Sequence, residues 1–161
     1  MQPYDPILDI ARRTMFNLRY IEFRRTVEGP YETTQLINSF LGMLCAPWEK
    51  VRDLISNEKL DGWPDFAPAS SKDRAADLND LLRKLRNAMA HGNIEYLSGP
   101  TGDILSLRLW NIPQGVKKIR ANADWDVTIG VAELRVFIER LALFIEGLPT
   151  AGASDRKLLS V

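Results

Sequence analysis

The run Arg86-Asn87-Ala-Met-Ala-His91-Gly92 gathers the residue types in this chain best suited to chemistry, and His91 is its only histidine. An imidazole titrates near neutrality, so it both takes and gives protons. A guanidinium keeps its charge and offers a planar fork that matches two phosphate oxygens. The carboxamide of Asn87 can orient a ring nitrogen or hold a phosphate oxygen. Proton transfer beside a phosphate is the chemistry these three types share. By place alone, a lone histidine next to glycine at a helix end also fits a simpler role, as a C-cap or a partner of the helix dipole.

The element that must position them is a helix stopped by Gly92. Ser70 or Ser71 is expected to cap it, with Asp73 in its first turn. Ala75, Leu78, Leu82, Leu85 and Met89 form its apolar stripe. With Leu78 set at zero, Arg86 falls near about 80°, Arg83 near about 140°, Asn87 near about 180° and His91 near about 220°. The polar group therefore lies away from the buried stripe. Arg86 and His91 are separated by roughly 140°, too far to converge from one ideal helix. Ala88 and Ala90 are small enough to admit a second helix on that side, and a two-fold pairing would bring two Arg86 and two His91 into one cleft.

Arg86-Asn87-x-x-x-His91-Gly92 resembles the signature of the HEPN superfamily, small bundles built round an Arg-polar-x-x-x-His motif. The run from Glu32 to Glu49 is similar to a bacterial HEPN subgroup, and the likeness covers residues 1–97 and 130–148, with the segment between reading as an insertion. The resemblance implies a mainly α fold: a HEPN-like helical bundle of four main helices, with a small β-hairpin or three-strand insertion before the last helix. It implies a metal-independent endoribonuclease, a toxin or defence effector, acting on RNA as a homodimer. Arg86 and His91 would be its catalytic pair, Asn87 would support them, and Arg83 and Lys84 would touch RNA. A base takes the 2′-OH proton, the oxygen attacks phosphorus, an acid protonates the leaving 5′ oxygen and a cation steadies the phosphorane. An in-line reaction wants groups on opposite sides, and two protomers would supply two histidines. The products would be 2′,3′-cyclic phosphates. HEPN domains also include inactive relatives, so the alternative is a non-catalytic module binding RNA, nucleotide or a partner protein. An antitoxin protein would be a further partner of a toxin.

Composition bounds these readings. The chain has 161 residues, 45% apolar and 26% charged, as a single globular domain does. Residues 1–149 are expected to form that domain, with 94–129 a β-rich insertion and 150–161 a frayed tail. Lysine plus arginine equals aspartate plus glutamate at 21 each, which argues against a general nucleic-acid coat but not against a local cationic cleft. One cysteine and one histidine cannot assemble an N/S zinc set, so no metal or cofactor is expected. No signal peptide or membrane span is legible, and a cytoplasmic location is expected.

The remaining elements follow in order. Asp5-Pro6 starts a first helix whose stripe is Leu8, Ala11, Met15 and Leu18, with a second buried stripe expected at Phe16, Tyr20, Phe23 and Val27. Arg12, Arg13, Arg19, Arg24 and Arg25 read as a solvated face. After Gly29-Pro30, a second helix carries Ile37, Phe40, Leu41, Leu44, Trp48 and Val51 and kinks at Pro47. Cys45 reads as a small core residue and Glu49 as surface. Residues 56–71 are a loop whose Trp63 and Phe66 either tuck onto the bundle or offer a stacking surface. Ile94–Leu97 and Ile104–Trp110 form a hairpin across Gly99–Gly102, and Trp125–Ile129 adds a third strand. Lys117, Lys118 and Arg120 cluster in the loop before it, a solvated loop or, where it overhangs the cleft, a contact for RNA. The last helix runs from about Val131 to Leu148.

Overall fold

A computed structural model describes residues 6–24, 32–45, 52, 55 and 58–147. Among them are four α-helices and one four-stranded antiparallel sheet. The helices are α1 (Pro6–Phe23), α2 (Glu32–Cys45), α3 (Leu78–Ala90) and α4 (Val131–Gly147). The strands are β1 (Ala67–Pro68), β2 (Ile94–Ser98), β3 (Ile104–Asn111) and β4 (Trp125–Gly130), in the order β1-β4-β3-β2.

The four helices are as expected, but in place of a hairpin or three-strand insertion stands a four-stranded sheet, so the fold is not strictly a bundle. Leu107, Leu109, Trp125, Val127 and Ile129 are buried in the same core as the helices. In register, Leu107 faces Ile129, Leu109 faces Val127 and Asn111 faces Trp125, so one face of β3 and β4 is core. The hairpin and the third strand form as the alternation predicts. A fourth strand comes from the Pro-rich loop: Ala67 and Pro68 pair with Thr128 and Val127. Proline is tolerated there because β1 is an edge strand. Trp63 and Phe66 in that loop are buried, their rings 5.3 and 5.1 Å from Phe137, so they serve the core.

On α1, Ala11, Met15 and Leu18 are buried as the first stripe predicts. The second stripe is not: Phe16, Tyr20 and Phe23 are exposed, Phe23 by 85%. Among the described residues α1 packs mainly on α2 and α4, so one arc of its surface suffices for burial. The α1–α4 seam is closed by ion pairs from Arg135 to Glu22 and from Arg12 to Glu146. The pairing raises the Arg135 pKa, mainly through the hydrogen bond to Glu22. In α2, Ile37, Phe40 and Leu44 are buried and Leu41 is at the rim. Cys45 is exposed at the end of α2, not in the core. Val27, Pro47, Trp48, Glu49 and Leu148 lie outside the described residues.

Helix α3 begins later than the serines suggest. Ser70 and Asp73 close a separate short turn, with the Ser70 hydroxyl donating to Asp73 at 2.7 Å. The cap of α3 is Asp77, which accepts from the Asp80 N–H at 2.8 Å. Asp80 in turn accepts from the Ala76 N–H at 3.1 Å, tying the residue before the cap to the first turn. Leu78, Leu82 and Leu85 are buried as predicted; Leu81 and Ala88 join them, while Ala75 and Met89 are only partly buried. Each fully buried leucine contributes about 2 kcal/mol, enough to fix the rotation of the helix. Ala88 belongs to this core and is not part of a helix-docking face; Ala90 is exposed.

Candidate functional site

Helix α3 ends in a double hydrogen bond that places His91. The N–H of Asn93 donates to the Ala88 carbonyl at 2.8 Å and that of Gly92 to Met89 at 3.2 Å. This is the Schellman pattern, and it requires the left-handed φ of +68° that Gly92 supplies. His91 is the C-cap residue, and its N–H donates to the Asn87 carbonyl at 3.1 Å. Its side chain projects beyond the helix end, exposed. The bland role and the chemical role of His91 are thus compatible: its backbone caps while its ring is free for solvent or ligand.

His91 and Asn87 line a cleft of about 640 Å³, together with Arg83 and Asn93 from the same segment. The opposite wall is the β3–β4 loop, which contributes Gln114, Lys118 and Asp124. Two links hold that wall in place. The Trp110 N–H donates to the Asn93 carbonyl at 3.2 Å, tying β3 to the exit of α3. Asn111 and Asp124 pinch the loop at its base, side chain to side chain at 2.9 Å and backbone to backbone at 3.1 Å. The inner surface is rich in carboxamides and carries two cations, a composition suited to a polar, anionic ligand.

Arg86 stands beside the cleft. It is half-buried, its Nη1 donates to the Asn87 carboxamide at 3.5 Å, and its Nε is buried with no acceptor. Among the described residues no carboxylate pairs with it. A buried N–H left unpaired costs free energy that an acceptor would recover. Within one chain Arg86 and Asn87 touch, Asn87 and His91 share the cleft, and no hydrogen bond joins Arg86 to His91.

The other basic residues divide. Arg83 lines the cleft while bonding Asp80 at 2.7 Å. Lys84 bonds the second oxygen of Asp80 at 2.8 Å and is mostly buried. Burial raises the Asp80 pKa, but Lys84, the Ala76 N–H and Arg83 outweigh it and hold the carboxyl below its usual value. From the loop cluster, Lys118 reaches the cleft. Arg120 is spent on the outer sheet face, bonded to Glu95 at 2.7 Å and stacked over Trp110. Arg108 pairs there with Asp126 through two hydrogen bonds of 2.8 and 2.9 Å, which raise its pKa.

Sequence reasoning missed Asn93, Asn111 and Asp124. One signal was available for Asn111: it continues the inward row of Leu107 and Leu109, so a polar side chain falls at a core position. Among the described residues no group of three or more His, Cys, Asp or Glu is placed to hold a metal ion. No helix among them is long and apolar enough to cross a membrane.

A family model described as HEPN pEK499 p136 matches residues 1–148, and the chain belongs to the HEPN family. Searches of curated proteins and of solved structures returned no significant match. HEPN membership points in general to a nuclease or a nucleotide-binding module, in a family whose domains commonly dimerise and bind RNA.

Proposed function

We propose that this protein is a metal-independent endoribonuclease whose site is completed in a homodimer, with Arg86 and His91 as its catalytic residues, in the manner of a toxin or defence effector. The observation that carries the reading is an exposed C-cap imidazole on the same last turns of α3 as a guanidinium that has no acid partner among the described residues. His91 moves the proton of the 2′-OH or of the leaving 5′ oxygen. Arg86 neutralises charge on the phosphorane, where a fixed cation acts most strongly in the transition state. Asn87 accepts from Arg86 and lines the cleft with His91, where it orients the imidazole or holds a phosphate oxygen. Arg83 contacts RNA from the cleft wall. Lys84 is tied to Asp80 and is not carried forward.

The separation of Arg86 and His91 on one helix supports a second copy supplying the missing partner. The test is cleavage of single-stranded RNA in EDTA. Wild type is expected to yield 2′,3′-cyclic phosphate ends, and His91→Ala and Arg86→Ala each to lose at least roughly a hundredfold in rate. Undiminished cleavage by both variants would overturn the reading. A second reading, a non-catalytic module binding RNA, nucleotide or a partner protein, is favoured by the carboxamide-rich cleft. It is distinguished by tight RNA binding that survives His91→Ala without any cleavage in wild type.

A further inference from the structure

The cleft holds one carboxylate, and a groove for a polyanion loses affinity with every acid it exposes. Asp124 is nevertheless built into the wall. Its N–H donates to the Asn111 carbonyl at 3.1 Å, and its Oδ1 accepts from Asn111 Nδ2 at 2.9 Å. Asn111 is itself only 8% exposed and set opposite Trp125 by the sheet register. The core therefore fixes Asn111, and Asn111 fixes Asp124. No cation neutralises this carboxylate among the described residues, since Arg83 is bonded to Asp80 and Lys118 makes no ion pair.

A braced carboxylate repels phosphate and attracts N–H donors. We propose that Asp124 is a specificity residue that accepts hydrogen bonds from the amino edge of a nucleobase in the cleft, while Lys118 takes an adjacent phosphate. This rests on the cleft being the RNA site of the proposed function. A carboxylate has only acceptors to offer, so it ranks bases by the donors on their edges. Guanine presents N1–H and an amino group side by side. Cytosine and adenine present an amino group beside an acceptor. Uracil presents one N–H between two carbonyl oxygens, which the carboxylate repels. Guanine is thus expected first and uracil last.

The test uses the full chain carrying His91→Ala and fluorescent 2′-O-methyl oligonucleotides, which have no 2′-OH to attack. One is uridine-only and one has a central guanosine. Fluorescence anisotropy is expected to show the guanosine oligonucleotide binding roughly tenfold more tightly. Asp124→Asn keeps an acceptor for Asn111 and is expected to shrink that difference to about twofold. Lys118→Gln is expected to weaken both oligonucleotides alike and to reduce the salt dependence by about one charge. If Asp124→Asn loses its melting transition, Asp124→Ser carries the same comparison. Absence of base preference in the parent, no binding of either oligonucleotide, or an equal effect of Asp124→Asn on both, overturns the proposal. Selective binding without cleavage of ordinary RNA by wild type removes the nuclease and leaves Asp124 its role. Cleavage without base preference does the reverse.

Discussion

Arg86 gives its one side-chain hydrogen bond among the described residues to Asn87, at 3.5 Å, and buries its Nε without an acceptor. A side chain kept for the fold would be better satisfied. Replacing it by a similar apolar shape removes an unmet donor, so Arg86→Met is expected to leave stability unchanged or raise it by up to about 1 kcal/mol. The same variant is expected to lose at least roughly a hundredfold in RNA cleavage. Thermal melts and an EDTA cleavage assay on one preparation check both halves. A large fall in melting temperature would show that Arg86 is structural.

A site shared between protomers has a signature in mixtures. Arg86→Ala and His91→Ala are each expected to be inactive alone. In a mixed dimer, one composite site keeps an Arg86 from one protomer and a His91 from the other, and the second site loses both. With random pairing, co-refolded equal mixtures are expected to recover roughly a quarter of wild-type activity. No recovery, from mixtures shown by mass to contain the heterodimer, would mean that each site draws on one chain alone or needs both histidines.

Much of this site was legible because it is local. The Gly92 stop and the wheel angles of Arg86, Asn87 and His91 depend on a few consecutive residues and the geometry of one helix. The opposite wall was legible only as a basic cluster in a loop, Lys117, Lys118 and Arg120, without its place against α3. Asp124 and Lys118 reach the cleft only because β3 and β4 pair in one register and Trp110 bonds Asn93, contacts between distant parts of the chain. The same limit explains the aromatic stripe of Phe16, Tyr20 and Phe23. Periodicity finds an apolar face but not whether a neighbour covers it. The start of α3 was misplaced for a local reason: Ser70 and Asp77 are both good caps, and the short turn at Ser70–Asp73 took the first one. Strand β1 was hidden by its length of two residues and its proline.

Gly92 should be sensitive through its backbone alone. A Cβ there would meet nothing within 4 Å, but φ is +68°. Gly92→Ala is therefore expected to cost about 1 kcal/mol, and Gly92→Asn less, since asparagine tolerates the left-handed region. Because His91 is the adjacent cap residue, the alanine variant is also expected to lower cleavage about tenfold by shifting the ring. Equal melting temperatures for wild type and Gly92→Ala would contradict the Schellman ending of α3.

The opposite end of α3 supplies a pH test. The folded Asp80 carboxyl lies below its ordinary pKa of 3.8, because Lys84, the Ala76 N–H and Arg83 outweigh the burial that would raise it. A depressed folded pKa stabilises the fold above the unfolded value, and that stabilisation is lost as pH falls through the folded one. Asp80→Asn keeps the shape and removes the charge facing Lys84 and Arg83. At neutral pH it is expected to cost about 1 kcal/mol. The gap to wild type should narrow as pH drops below 3.8 and close once both chains are uncharged at this position. Denaturant melts at pH 7 and in the acid range measure it; a gap that is constant with pH would mean that the ion pairs with Lys84 and Arg83 add nothing to the stability of α3.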